Sequence, residues 1–394
     1  MKEKFRVIIL GAGSTGSSIA FNLAKKGETD VLLLDRSCAG CGQTGVTSAL
    51  VRLHYTNPVI REMAVYSWRF IRERFSEEVE CDLTVFTETG IGFGAPEEGV
   101  KAAEDVVRSL KSMGVETELY DPEDFKREVF KHINIDGLAA VAWEPHSGYG
   151  DPSAIVSCYV SYARKMGVKV MENNPVKRLI VKDRRIEAVE TEKGVFKAEL
   201  VVNALGVWAN RLLKPIGAEL PIRIGREEVL VVRNPRRKEV VPPGWGDLAL
   251  GFYSRPEGEA LSIIGGLYVD YPEVEPEPGR YSKPPLRLVD MRMPPFVRRF
   301  PEMADAELHS GWYGFYDITP DWQPIIGWDR KIKNLIHMVG LSGHGFKLSP
   351  AYGDVISDIV IYGKAKRFDV SRFSIRRFEE GISERSRYKY GIVG

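Results

Sequence analysis

Residues 7–36 read VIILGAGSTGSSIAFNLAKKGETDVLLLDR, and their order decides the fold. The runs VIIL and VLLL hold no polar residue, the pattern of strands buried on both faces of a parallel sheet. Residues 17–26 between them place Ile19 and Leu23 on one helical face with Ala20 and Ala24 beside them. Lys25 and Lys26 suit a helix C-terminus, and Gly27 the residue after it. The segment is a β-α-β unit. Gly11, Gly13 and Gly16 spell G-x-G-x-x-G at its first turn. The first allows a tight turn, the second lets a pyrophosphate approach the backbone, and the third lets helix and strand pack closely. Ala12, Ser14 and Thr15 complete the loop, whose free N–H groups face the phosphates. Asp35, 19 residues beyond Gly16, is placed to accept from ribose hydroxyls, with Arg36 beside it. The unit is a dinucleotide site, and alone it fits NAD(P) or FAD.

The chain outside it argues for a long cofactor. A nicotinamide fold normally adds further β-α-β units at once. Here a helix over 58–75, strands over 83–94 and a helix over 100–113 follow instead. A helix starts near Pro152 with Asp151 as N-cap. A small antiparallel meander then leads to a buried strand at 200–204. Residues 216–324 are rich in strands, prolines and aromatics. Residues 334–363 read strand, glycine loop, helix, with Ser349 as cap, Pro350 at the first helical position, Val355, Ile356 and Ile359 inward, and Gly363 at the end. The basic, aromatic tail after 365 is expected on the surface. The expected fold is α/β plus β: a Rossmann-like doubly wound FAD-binding domain (1–82, 146–215 and 325–394) interleaved with a β-rich substrate-binding domain (83–145 and 216–324).

Bulk composition narrows the function. The 394 residues carry 55 Lys and Arg against 54 Asp and Glu, interspersed, so neither nucleic acid nor an anionic membrane surface is an expected partner. No signal-peptide core or membrane-spanning apolar run is found, and a cytoplasmic location is expected. The four cysteines, Cys38, Cys41, Cys81 and Cys158, do not read as a disulfide framework. The C-x-x-C of Cys38 and Cys41 lacks the two further ligands of a zinc site, so two small loop residues are the favoured reading over a redox pair. Glutamine occurs only at 43 and 323 while Lys, Arg and Glu abound, a bias seen in thermophile proteins. GLSGHG lacks the glycine two residues after Ser342 that a hydrolase nucleophile elbow needs.

Seven segments carry a resemblance spanning nearly the whole chain: VIILGAGSTGSSIA…LLLDR, GQTGVTSALVRLHY, HSGYGDP, AELVVNALGVWAN, FYSRPEG…IIGG, GWYGFYDITPDWQPIIG and VGLSGHGFKLSPAYGDVISDIV. Together they resemble the D-amino-acid oxidase-like FAD enzymes, nearest to sarcosine oxidase, dimethylglycine dehydrogenase and the β subunit of archaeal L-proline dehydrogenase. The resemblance implies FAD. It places Gly42, Gln43, Thr44, Ser48, Ala49 and Leu50 along the flavin, and Val176, Ala204, Gly206 and Trp208 against the middle of the cofactor. Gly343, Gly345, Phe346 and Lys347 fall at its reduced end, where backbone N–H groups and a helix dipole stabilise negative charge. Arg52 and Lys347 match the residues that bind a substrate carboxylate, His344 lies beside the flavin with either a loop-shaping or an acid–base role, and Tyr253 and Tyr316 wall the substrate pocket.

The departures from that family matter equally. The positions of covalent flavin attachment fall on Gly314 and near Val46, so FAD is expected to be non-covalent. A lysine that assists reaction with oxygen falls on Ile263, which favours a dehydrogenase over an oxidase. The expected activity is oxidation of a small, secondary amino acid such as sarcosine or proline by Cα hydride transfer to flavin N5, giving an imine. Alternatives are a flavoprotein subunit of a hetero-oligomeric amino-acid dehydrogenase, and an oxidase of glycine or D-amino acids. The partners expected are an amino-acid substrate, an unspecified electron acceptor, and further subunits in a homo- or hetero-oligomer.

Overall fold

A computed structural model describes residues 3–272 and 274–393. Strand Lys4–Leu10 lies at the centre of the first sheet, paired in parallel with Val31–Leu34 on one side and Gly194–Asn203 on the other. Leu335–Val339 extends the parallel set beyond Gly194–Asn203, and Lys169–Met171 extends it beyond Val31–Leu34. The apolar runs are fully buried because both faces are covered. Ser14–Lys25, Pro152–Lys165, Pro58–Arg69 and Gly345–Tyr362 pack on one face around Ile19, Leu23, Tyr159 and Ile356. Leu179, Ile186, Val189 and Leu213 pack on the other against Ile8, Leu10, Leu32 and Leu34. The meander of Val176–Lys182 and Arg185–Thr191 attaches antiparallel to the first residues of Gly194–Asn203. Strand order turns back on either side of Lys4–Leu10, so a crevice opens beyond the carboxyl ends of Leu10 and Asn203, the position at which such sheets bind ligands.

A second sheet of nine strands runs, in spatial order, through Gly279–Tyr281, Glu307–Ile318, Arg223–Arg233, Leu261–Gly266, Phe252–Glu257, Gly244–Asp247, Ile91–Ala95, Ala140–Glu144 and Glu118–Tyr120. Its longest pair, Arg223–Arg233 with Glu307–Ile318 near one edge, alternates residues between a core that includes Leu230, Val232, Phe296 and Phe300 and the face toward the crevice. A small sheet of Leu50–Val51, Gly148–Gly150 and Phe86–Glu88 completes the set.

Four expectations are corrected. The helix near 345 begins at Gly345, not Pro350, so Ser349 is no cap and Pro350 lies in the second turn. The first turn forms ahead of Ser349 because Gly340, Ser342 and Gly343 all take positive φ and reverse the chain. The helix over 58–75 is Pro58–Arg69, a π turn at Phe70–Arg74, and Phe75–Val79; the wider turn leaves Phe70, Ile71 and Phe75 all buried. The cysteines form two disulfides, Cys38–Cys41 and Cys81–Cys158. The tail is not a surface strap: Phe373, Ile375, Tyr388, Tyr390 and Ile392 are buried. Arg377 anchors it through a two-pronged pair with Asp321 (Nε–Oδ2 2.8 Å, Nη2–Oδ1 2.9 Å). No helix among the described residues is long and apolar enough to cross a membrane.

Candidate functional site

The glycine loop has the geometry its spacing implies. Gly11 sits at φ +97°, and a Cβ there would meet the Ala204 carbonyl oxygen at 2.6 Å. A Cβ on Gly16 would lie 1.8 Å from the carbonyl oxygen of Gly11, so only glycine lets helix Ser14–Lys25 start this close to the strand. Asp35 closes the turn from the neighbouring strand: Oδ2 accepts from Ala12 N–H (2.8 Å) and Oδ1 from Ser37 N–H (2.9 Å). Arg36 lies over the Trp208 ring and forks onto Glu277.

From this loop a cleft of about 1730 Å³ of empty space, open to solvent, runs between the two sheets. It brings together Gly11, Gly13, Ser14, Thr15, Asp35 and Arg36 at one end. Gly42, Gln43, Thr44, Ser48, Leu50, Val176, Ala204, Gly206 and Trp208 follow along its middle. Tyr253, Tyr316, Gly343, Gly345, Phe346 and Lys347 lie at the other end. Ala12, Gly16, Ala49 and His344 stand behind this wall rather than in it. Gly314 and Val46 are in the wall, and neither offers a nucleophile. Sequence reasoning missed Ser37, Glu227, Val229, Trp312 and Asp317, which also line the cleft.

Two motifs far apart in sequence are bolted together at the deep end. Asp317 Oδ2 accepts from Gly340 N–H at 2.6 Å, and its carbonyl accepts from Ser342 N–H at 3.2 Å. Burial pushes the Asp317 carboxyl up to about 6. Gly343 turns at φ +82° against the Tyr316 ring, and helix Gly345–Tyr362 starts with its first N–H groups at the cleft.

A smaller chamber adjoins this end and shares Ser48, Leu50, Tyr253, Tyr316, Gly343 and Lys347 with the cleft, adding Arg52, Phe93, Trp245, Leu248, Leu267 and Ile392. Arg52 is only 8 % exposed and Lys347 9 %. Arg52 donates to the carbonyls of His54 and Ile392, the latter at 2.6 Å, and its guanidinium lies 3.8 Å from the centre of the Tyr55 ring. Lys347 Nζ donates to the Gly343 carbonyl at 3.1 Å. Neither cation has a carboxylate within ion-pair distance among the described residues. Glu144, which feels the Arg52 charge, uses Oε2 for Leu53 N–H and Ser147 O–H, and burial pushes it up to about 7. Burial, and then the charge of Arg52, hold the Lys347 ammonium well below its ordinary value. His344 is held well below its own by burial, then by the charges of Lys347 and Arg52. It is a neutral ring whose Nε2–H donates to the Ile392 carbonyl (2.8 Å) and ties the glycine loop to the tail. Tyr253 and Tyr316 are raised by burial and stay phenols.

Ile263, buried in Leu261–Gly266, pairs across the sheet with Arg255 and Val231. The Arg255 guanidinium is taken up by the Ser48 carbonyl and Glu257.

Comparison with known proteins agrees with this architecture. The family model described as FAD dependent oxidoreductase matches residues 6–359. The chain is 25% identical to mitochondrial sarcosine dehydrogenase of Homo sapiens over 97% of its own length and 42% of the relative's, so it spans less than half of that protein. It is 25% identical to monomeric sarcosine oxidase of Bacillus sp. (strain NS-129), covering 96% of this chain and 98% of the oxidase. Among solved structures, L-proline dehydrogenase from P. horikoshii superposes with a TM-score of 0.86 at 26% identity, over 98% of this chain and 100% of the other. The cleft wall fits the flavin dinucleotide that the family name implies. N–H groups at the start of Ser14–Lys25 suit its phosphates, Asp35 suits a ribose, and Trp312 Nε1–H is buried in the wall with no partner among the described residues.

Proposed function

Because the chain belongs to the FAD-dependent oxidoreductase family, we propose that it oxidises a small amino acid, preferably a secondary one such as sarcosine or proline, at its Cα–N bond. One observation carries this reading: Arg52 and Lys347 are two buried cationic side chains with no counter-anion among the described residues, in the chamber that adjoins the cleft. Burying uncompensated charge is costly, so such a pair is a site waiting for an anion. Each cation retains N–H donors beyond those already used, and a planar guanidinium matches a carboxylate.

FAD, when bound, supplies the acceptor for a hydride at its N5. The chain's own residues do the rest. Arg52 and Lys347 hold the carboxylate and so fix the orientation of Cα–H, which is the entropic part of catalysis. Tyr253, Tyr316 and Phe93 keep water from the chamber. The substrate reacts as the free amine, whose lone pair becomes the π bond of the imine, and the imine hydrolyses in water. The N–H groups at the start of helix Gly345–Tyr362 offset charge that accumulates at that end of the cleft.

FAD is held without a covalent bond, a reading supported by Gly314 and Val46, and is expected to leave with acid. The buried apolar Ile263, with the Arg255 charge already neutralised, supports a dehydrogenase over an oxidase. The test is an anaerobic screen of sarcosine, L-proline, glycine and D-amino acids for bleaching of the bound flavin. Rapid bleaching by one of them is expected, and a flavin that none of them reduces removes the proposal.

A further inference from the structure

Strand Arg223–Arg233 carries two adjacent acids, Glu227 and Glu228, which the alternation of a strand sends to opposite faces. Glu228 is fully engaged. Its carboxylate accepts from Tyr281 O–H (2.6 Å), from both Nη atoms of Arg287 (2.5 and 2.7 Å) and from Arg226 (3.1 Å). Glu227 is on the cleft side, 4 % exposed, and half used. Its Oε1 accepts from Gly266 N–H at 2.6 Å. Its Oε2 is buried with no partner among the described residues. Arg292 Nη2 makes a long ion pair with Oε1 at 3.5 Å while donating to the Glu228 carbonyl at 3.1 Å, and it leaves Oε2 untouched.

Glu227 lines the cleft together with Tyr253 and Tyr316. It stands opposite Gly314, between the register positions of Trp312 and Tyr316 on the neighbouring strand. Tyr253, two strands away on the same sheet, stands opposite Gly265. Tyr253 and Tyr316 line both the cleft and the chamber of Arg52 and Lys347, so the unsatisfied acid and the two cations line adjoining spaces that share the same pair of phenols. With Glu227 ionised and Lys347 protonated, as a bound amino acid would favour, such a cavity has an anionic and a cationic pole, and the complementary small molecule is a zwitterion.

We propose that Glu227 Oε2 is the acceptor for the amino nitrogen of the substrate, opposite the carboxylate held by Arg52 and Lys347. The inference rests on the carboxylate reading above and deepens it. It makes the substrate an amino acid bearing an N–H, not a nitrogen-free carboxylic acid. It also explains why a buried carboxyl keeps an empty hydrogen-bonding position, which proteins otherwise avoid. Burial raises this carboxyl to about 8, so its anionic form is a stronger base than an exposed glutamate and suits an ammonium proton.

The test compares two non-oxidisable rings of one shape, pyrrole-2-carboxylate, which has an N–H, and furan-2-carboxylate, which lacks it. Binding to the FAD-loaded protein is read from the shift of the flavin spectrum. In the native protein the pyrrole is expected to bind about tenfold more tightly. In Glu227→Gln the Gly266 N–H keeps the amide oxygen turned away and leaves an NH₂ facing the cleft. The preference should vanish or reverse while furan-2-carboxylate affinity is unchanged. Glu227→Asp, which retracts the carboxylate, gives the same reading if the glutamine variant loses FAD. Equal binding of the two rings by the native protein, or a preference that survives both variants, overturns the role of Glu227 and leaves the carboxylate site standing. If neither ring binds the native protein, the carboxylate reading and this inference fall together.

Discussion

Lys347 is buried beside Arg52, so its proton depends on whether an anion is present. In the empty site its ammonium is held well below the ordinary value, first by burial and then by Arg52. A bound carboxylate favours the charged form and pulls the value back up. Between the two values, binding therefore takes up a proton, and affinity falls as pH rises through that window. Calorimetric titration of furan-2-carboxylate, which offers Glu227 no N–H, in buffers of different ionisation enthalpy should report uptake in the native protein and none in Lys347→Ala. Arg52→Ala and Lys347→Ala should each keep FAD and raise KM for the amino acid by roughly ten- to a hundredfold, the worth of a charge-assisted hydrogen bond. An unchanged KM in both variants would refute the assignment. These two residues were legible because each sits in a local motif. Glu227 was not: GREEVLVV offers two acids of equal standing, and only the register against Gly314 and Tyr316 decides which one meets the cleft.

At the scale of elements, the strand–glycine–helix opening was readable because every determinant lies within a few turns of chain. The start of helix Gly345–Tyr362 was misread for the opposite reason. Ser349-Pro350 is a good local helix start, but Asp317 pins Gly340 and Ser342 from another strand and moves the start forward. The tail was misread because its anchor, Asp321, is 56 residues from Arg377 in sequence. That anchor is a buried, forked pair, and Arg377 also donates to the Gln323 carbonyl at 2.8 Å. Arg377→Ala strands Asp321 in the interior and should lower the unfolding free energy by about 3–5 kcal/mol in urea titration. A loss below about 1 kcal/mol would mean that the tail holds itself in place by Tyr388, Tyr390 and Ile392 alone.

For the whole molecule, the interleaving of two sheets around one cleft follows from the chain's repeated return to the parallel sheet at Gly194–Asn203 and Leu335–Val339. The Cys81–Cys158 disulfide ties the loop after Phe75–Val79 to helix Pro152–Lys165 across a sequence separation of 77. A closed loop of that length restricts the unfolded chain, so Cys81→Ser with Cys158→Ser should cost roughly 2–4 kcal/mol, seen as a lower thermal midpoint. Reductant should reproduce the loss in the native protein. The sequence pattern held no sign of this pair, because a cysteine carries no information about a partner that distant. The proposed chemistry depends on a carboxylate lying between Arg52 and Lys347 in the FAD-loaded protein. A crystal structure with pyrrole-2-carboxylate bound tests it directly. The carboxylate is expected within hydrogen-bond distance of both side chains with its N–H toward Glu227, and a ligand seated elsewhere, or turned end for end, would contradict it.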